Sequence, residues 1–292
     1  MKRRTFIQNS LMAVGGLALM SNRFPATENI KLAFLRGGAP KGMLQLGLEE
    51  LGGIGQFVRQ GQKVLIKPTL RWNQAPETGL NTNPGLLAHL TKLCYEAGSP
   101  GVYLVDQTTD QWTKCYKNSG IERVVKDAGA KILPGNKEFL YQKITIPNAQ
   151  VMKTAKVHEI VQEVDLIINV PAINPILPGG YFGAFQNLMG LVWNADQFNG
   201  HPDQSMVDFL HYKKPVLNII DAYQVAGSNS VKDYKTLILS SDIIAAEIFG
   251  AKRVGYDSQK LNYLQLAEQA GFGQMNLPKE NIRSLVLKNS QQ

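Results

Sequence analysis

The chain has 292 residues, 44% of them apolar and 18% charged, a composition that supplies a globular core and argues against disorder, collagen-like repeats and coiled coil. Its net charge is +8, but Lys2, Arg3 and Arg4 carry three of those charges, and the +5 left without them is scattered in short pairs such as Lys213-Lys214 and Lys252-Arg253. A nucleic-acid partner normally needs basic residues gathered along one face, so that class is disfavoured. Two cysteines, Cys94 and Cys115, are too few for a disulfide framework, a thiolate zinc site or an all-cysteine iron–sulfur cluster within this chain.

Residues 1–26 read as a twin-arginine-type signal segment. Arg3-Arg4-Thr5-Phe6-Ile7 places paired arginines before a polar residue and two hydrophobics, and the apolar run LMAVGGLALM follows. That run is far shorter than the about 20 residues that span a bilayer. The expectation is export to the periplasm, with the twin-arginine machinery as a partner. No clean A-x-A site stands around Ala18, Met20 and Ser21, so retention at the membrane surface through an uncleaved signal is the alternative to release.

Residues 27–292 read as a single α/β domain. Short apolar runs at 31–37, 63–70, 101–107, 165–172, 215–222 and 235–241 have the continuity of strands covered on both faces. Between them lie helical patterns. Leu86, Leu90, Leu93 and Ala97 form one stripe over 84–98, opened by Pro84 and closed by Gly98. A second helix is expected over 118–129 and a third over 242–254, with Asp242 as its N-cap. The alternation predicts a mostly parallel sheet with helices on both faces. Edge strands are expected at 143–147 and 283–288.

One stretch breaks that rhythm. Residues 169–200 carry Pro171, Pro175 and Pro178 among five glycines, a long Gly/Pro-rich loop after a central strand. Open α/β sheets bind ligands at such strand ends. GAFQNLMGLVW within it reads as a short helix. Its aromatic residues either pack the loop onto the core or line a site.

The strand ends supply the candidate groups. Lys67 lies at the end of the second strand with Asn73 beyond it, and Asp106 and Thr108 lie at the end of the third. Lys156 and His158 precede the fourth, Asn174, Gln186 and Asn187 lie in the long loop, and Asp221 closes the fifth. Lysine offers a point charge to an anion, carboxylates offer acid–base or metal chemistry, and histidine titrates near neutrality. His201, Asp203 and Asp208 form a separate cluster of imidazole and carboxylates suited to a metal ion, although at no recognised spacing. Each has a plain structural alternative: helix capping for the aspartates, solvation for the lysines, packing for the histidines. There is no G-x-G-x-x-G, P-loop or G-x-S-x-G pattern.

Six blocks stand in order: KVLIKPTLRWN, TNPGLLAHLTKLCYEAG, KVHEIVQEVDLIINVPAI, FQNLMGLVW, PVLNIIDAY and SSDIIAAEIFG. Over roughly residues 30–287 the chain resembles domain-of-unknown-function family 362 of bacteria and archaea. The resemblance implies a member without the ferredoxin-like cysteine cluster appended to many others. Where such proteins often read K-T-H this chain has Ala172-Ile173-Asn174, and where they often read A-L-K-N it has Ala184-Phe185-Gln186-Asn187. Amides hydrogen-bond a ligand but do not transfer protons near neutral pH.

The block order is also loosely similar to that of nickel-pincer lactate racemases, whose catalytic histidine and lysine would fall near Asn174 and Gln186. The expected function is therefore an exported protein with one polar pocket at the strand ends. It would bind a small anionic molecule or a metal-containing cofactor in an accessory or redox-associated role. The alternatives are a cofactor- or metal-dependent enzyme, distantly racemase-like or oxidoreductase-like, and a non-catalytic structural or assembly protein.

Overall fold

The structure, a computed structural model, describes residues 30–177 and 180–287. The expected signal segment, 1–26, lies outside them.

In chain order the elements are β1 (Leu32–Arg36), α1 (Pro40–Glu50), β2 (Val64–Pro68), α2 (Pro84–Glu96), β3 (Val102–Leu104), α3 (Trp112–Asn118), α4 (Ile121–Asp127) and β4 (Lys131–Ile132). There follow β5 (Tyr141–Thr145), β6 (Thr154–His158), α5 (Ile160–Glu163), β7 (Leu166–Val170), β8 (Asn174–Leu177), β9 (Gly180–Phe182) and α6 (Ala184–Met189). The last are α7 (Pro202–Tyr212), β10 (Leu217–Val225), β11 (Lys232–Ser240), α8 (Ile243–Arg253), α9 (Tyr263–Gln269) and β12 (Ile282–Val286).

Eight strands form one sheet in the order β12-β1-β11-β10-β7-β2-β3-β4. Five of its pairings are parallel, and β11 runs antiparallel to both of its neighbours. This is the mostly parallel α/β sheet that the continuous apolar runs predict. Alternate residues feed two separate cores. Leu65 and Ile167 face one that also holds residues of α6, α7, α8 and α9, whereas Val64, Ile66 and Ile168 face the other, with α1, α2 and α4. A strand with a helix layer on each side has no solvent face, so its pattern is unbroken rather than alternating.

Strand β2 pairs with β3 on one side and with β7 on the other. The chain moves outward from β2 through β3 to β4 and returns to the opposite flank at β7. That reversal falls at the carboxyl ends of β2 and β7, the position where sheets of this class place ligands.

Local signals explain the helix ends. Asn83 accepts from the Leu86 amide at the start of α2, with Pro84 in the first turn. Asp242 accepts from the Ile244 and Ala245 amides at the start of α8. The helix expected over 118–129 is α4, Ile121–Asp127, and a further helix, α3, ends at Asn118 just before it, the two separated at Gly120, whose φ of 72° is left-handed. The strand expected at 143–147 is not an edge of the main sheet. Tyr141–Thr145 pairs antiparallel with Thr154–His158 in a hairpin of its own. The tail strand is an edge strand, parallel to β1. Among the described residues no helix is long and apolar enough to cross a membrane.

Candidate functional site

The long loop folds back over these strand ends. Its strands β8 and β9 form an antiparallel hairpin, and α6 then packs across β2 and β7. Gly183 precedes α6 and Gly190 ends it, and both positions are crowded. A Cβ on Gly183 would collide with Glu247 and Tyr181, and one on Gly190 would collide with Asp106 Oδ1 and sit 3.1 Å from Lys67 Nζ. These glycines let α6 press directly onto the polar centre.

That centre is an ion pair, Lys67 Nζ to Asp106 Oδ1 at 2.8 Å, with neither side chain exposed. Burial pulls the Lys67 ammonium below its ordinary pKa, Asp106 opposes that shift, and the nearby Arg71 adds to it. Lys67 also donates to the Pro68 carbonyl at 2.7 Å and to Asn187 Oδ1 at 3.2 Å. The other Asp106 oxygen accepts the Leu70 amide at 2.8 Å.

Asn187 extends the network. Its oxygen accepts from Thr69 Oγ1, and its amide nitrogen donates to the Lys67 carbonyl and to Asn169 Oδ1. Asn169 passes the chain on to Asn218 and to the Ala184 carbonyl. Lys67, Asp106 and Asn187 therefore converge as the sequence suggests, but beneath α6 rather than in an open pocket. Their hydrogen bonds bind strand ends to the covering helix, which is what buried polar groups require.

The remaining expected residues serve nearby turns. Asp221 is buried; its carboxylate accepts the Asn83 amide at 2.7 Å and the Tyr223 amide at 3.0 Å, and burial pushes its pKa up to about 6. Thr108 bonds the Asp110 carbonyl and Asn136. Asn73 donates its amide to Asp110 and accepts from Asn118. Gln186 Oε1 accepts the Gly183 amide at 3.1 Å, and its Nε2 donates to Tyr263 Oη at 3.2 Å. Asn174 is buried at the start of β8, where it pairs with Phe182.

His158 and Lys156 lie apart from this centre. His158 Nδ1 accepts the Ile160 amide and Nε2 faces the Pro134 carbonyl at 3.3 Å, while its ring packs edge-on against Tyr141. Burial pulls its pKa below the ordinary imidazole value, so it is a packed neutral ring. Lys156 is exposed and paired with Glu138.

The three residues read as a metal set do not converge. His201 is exposed at the cap of α7, and Asp203 stands in the first turn of that helix. Asp208 is buried, and it accepts the amides of Gln150, Val151 and Met152 together with Gln204 Nε2. Burial alone would raise its pKa, but those hydrogen bonds outweigh it and hold the carboxyl below its usual value. Its charge organises the turn at residues 150–152. Among the described residues, no group of three or more His, Cys, Asp or Glu side chains is placed to hold a metal ion.

Two features escaped the sequence reading. Arg71, three residues past β2, sets its guanidinium 5.6 Å from the ring centroids of both Trp72 and Phe182. Its Nε is buried and has no hydrogen-bond partner among the described residues. The signal was the R-W pair in KPTLRWN, at a strand end already marked for ligands. The second is Glu247, on the inner face of α8. Fully buried, it accepts the Ala184 amide at 2.6 Å and Tyr263 Oη at 2.9 Å, and burial pushes it up to about 7. Its position in an apolar helix stripe, IIAAEIF, was the available sign.

Elsewhere, a shallow groove of 540 Å³ lies at the opposite ends of the strands, lined by Arg59, Gln62, Asp165, Lys214 and Ser241 among others. A smaller one of 350 Å³ runs beside Lys143, Lys156 and Trp193.

The chain is similar to known proteins in family and in fold. The family described as Domain of unknown function (DUF362) matches residues 64–252, more than half of the chain. A thylakoid-associated protein of Synechocystis sp. is 43% identical over 51 residues, which is 18% of this chain and 16% of that protein. The lactate racemase apoprotein from Thermoanaerobacterium thermosaccharolyticum superposes with a TM-score of 0.50 at 13% identity, covering 78% of this chain and 58% of the racemase. That likeness is one of fold. The chain spans less than two thirds of either protein.

Proposed function

The chain belongs to the DUF362 family, and from that premise we propose that it is a binding protein for a small anion, seated at the carboxyl ends of β2 and β7. The observation that carries this reading is a charge imbalance. Lys67 and Asp106 neutralise each other, and Arg71 stands beside them without a carboxylate in ion-pair distance among the described residues. An uncompensated cation at a topological switch point is an electrostatic invitation to an anionic ligand.

The role is accessory rather than catalytic. Lys67, Asp106, Asn187 and His158 are each engaged in internal contacts, so none of them offers a free acid or base to a substrate. Holding or delivering a ligand needs only binding. A metal-containing cofactor finds less support, because the described residues assemble no matching donor set. Export through the twin-arginine route belongs to the same proposal and rests on Arg3-Arg4 ahead of the apolar run.

Thermal unfolding of the purified protein in benzoate, acetate or phosphate, against chloride at equal ionic strength, tests the reading. A saturable rise in Tm is expected, since a ligand at a hundredfold excess over Kd adds about 2.7 kcal/mol. Identical melting in every anion contradicts it. Fractionation of cells expressing the full chain and an R3K/R4K variant tests export, with only the variant expected in the cytoplasm.

A further inference from the structure

We infer that Arg71 is the seat for the carboxylate of a small organic acid, whose apolar part lies against Trp72 and Phe182. This rests on the anion-binding reading above and gives it a receptor and a ligand class.

The guanidinium is held in place by its own backbone. The Arg71 amide donates to Asn81 Oδ1 at 3.1 Å. Its carbonyl accepts the Thr109 amide at 2.9 Å, Thr109 Oγ1 at 3.1 Å and Cys115 Sγ at 3.4 Å. Those contacts tie the segment after β2 to the segment after β3, so the side chain projects from a fixed base. A receptor ordered before its ligand arrives spends little of the binding energy on ordering.

The guanidinium rests in a corner. Trp72 and Phe182 meet edge to face, with ring centroids 6.1 Å apart, and the Arg71 carbon is 5.6 Å from each. Such packing satisfies the face of the cation but none of its five N–H donors. The side chain makes no ion pair among the described residues, and its buried Nε has no partner there. A buried donor left unpaired is costly, and a charged one more so.

The chemistry that completes this geometry is a planar two-oxygen acceptor. Guanidinium and carboxylate match in a two-bond fork, which a lysine cannot reproduce. Tetrahedral phosphate also accepts from arginine. The aromatic corner favours the carboxylate, because the half-buried Trp72, backed by the buried Phe182, offers apolar surface to an organic group that inorganic phosphate lacks. Phe182 comes from the hairpin of the long loop, so that loop supplies one wall of the site.

Titration of benzoate and of inorganic phosphate into ¹⁵N-tryptophan-labelled protein, with the Trp72 indole assigned by a W72F variant, tests the inference. R71K and R71Q variants are titrated alongside, and their melting curves confirm folding. The expected result is a saturable shift of the Trp72 signal with benzoate, an affinity at least tenfold weaker in R71Q, and a clear loss in R71K despite its retained charge. If R71K and R71Q bind benzoate as the unmodified protein does, Arg71 is not the seat, although anion binding stands. Phosphate binding without benzoate binding overturns the carboxylate class. If neither anion perturbs any tryptophan or the melting temperature, both the seat and the anion-binding reading fail.

Discussion

Lys67 and Asp106 form an ion pair of 2.8 Å with neither side chain exposed, where β2 and β3 end in the middle of the sheet. Each charge loses its hydration, and the pair survives because Asn187, the Pro68 carbonyl and the Leu70 amide complete its hydrogen bonding. Removing one partner strands the other. We expect Lys67→Met to cost about 3–5 kcal/mol in unfolding free energy, and the double variant K67M/D106L to recover much of that loss. Chemical denaturation of the three proteins measures both values, and additive losses in the double variant would show that the two side chains are not coupled.

Gly190 is a steric requirement rather than a conformational one. Its φ is −65°, which any residue adopts, but a Cβ would press on Asp106 and Lys67. Gly190→Ala should destabilise the protein by about 1–3 kcal/mol, in the range of overpacked cores. Gly55 has nothing within 4 Å of its would-be Cβ, and Gly55→Ala should differ little from the parent. Equal effects of the two substitutions on Tm would remove α6 from its place over the ion pair.

Glu247 sets a pH dependence of known sign. Burial raises its folded-state pKa to about 7 from the ordinary 4.5. Between those values the folded protein holds a proton that the unfolded chain has released. The associated stability is therefore complete below about pH 4.5 and is lost as pH rises through 7. That window is worth about 3 kcal/mol. Asp221, raised to about 6, acts in the same direction. Denaturation from pH 5 to 8 should show a decline that is flatter in Glu247→Gln. An unchanged slope in that variant would mean that Glu247 does not titrate there.

Asp208 and His201 separate loop support from metal binding. Asp208 accepts three successive backbone amides, and truncation leaves all three without it, the Met152 amide in a buried position. Asp208→Ala should cost about 2–3 kcal/mol, and His201→Ala, on an exposed cap, less than about 0.5 kcal/mol. Parallel losses in both variants that are restored by a divalent cation would place a metal between them.

Apolar continuity made the main strands legible, because covering both faces of β2, β7 and β10 leaves few positions for polar residues. The start of α2 was plain from Pro84 and the cap of α8 from Asp242, whereas the Asn83 cap emerges only in the structure. The short pairing of β5 with β6 was not legible, since nothing local in Thr154–His158 says that its partner is another hairpin arm and not the main sheet. The 202–212 segment hid its helix behind side chains that suggested a metal site.

For the candidate site, sequence order brought Lys67, Asp106 and Asn187 together correctly. It could not show that α6 would cover them, because that depends on two glycines fitting against side chains far away in the chain. Arg71 was passed over for a related reason. Its meaning comes from Phe182, contributed by a different loop, and from the lack of any carboxylate partner among the described residues.

An organic carboxylate has one predicted resting place on this protein. Crystals soaked in 4-iodobenzoate report the answer as an anomalous iodine peak. The prediction is a peak beside Trp72 and Phe182, with carboxylate density on the Arg71 guanidinium. A peak only in the groove lined by Arg59 and Lys214, at the opposite ends of the strands, would contradict it.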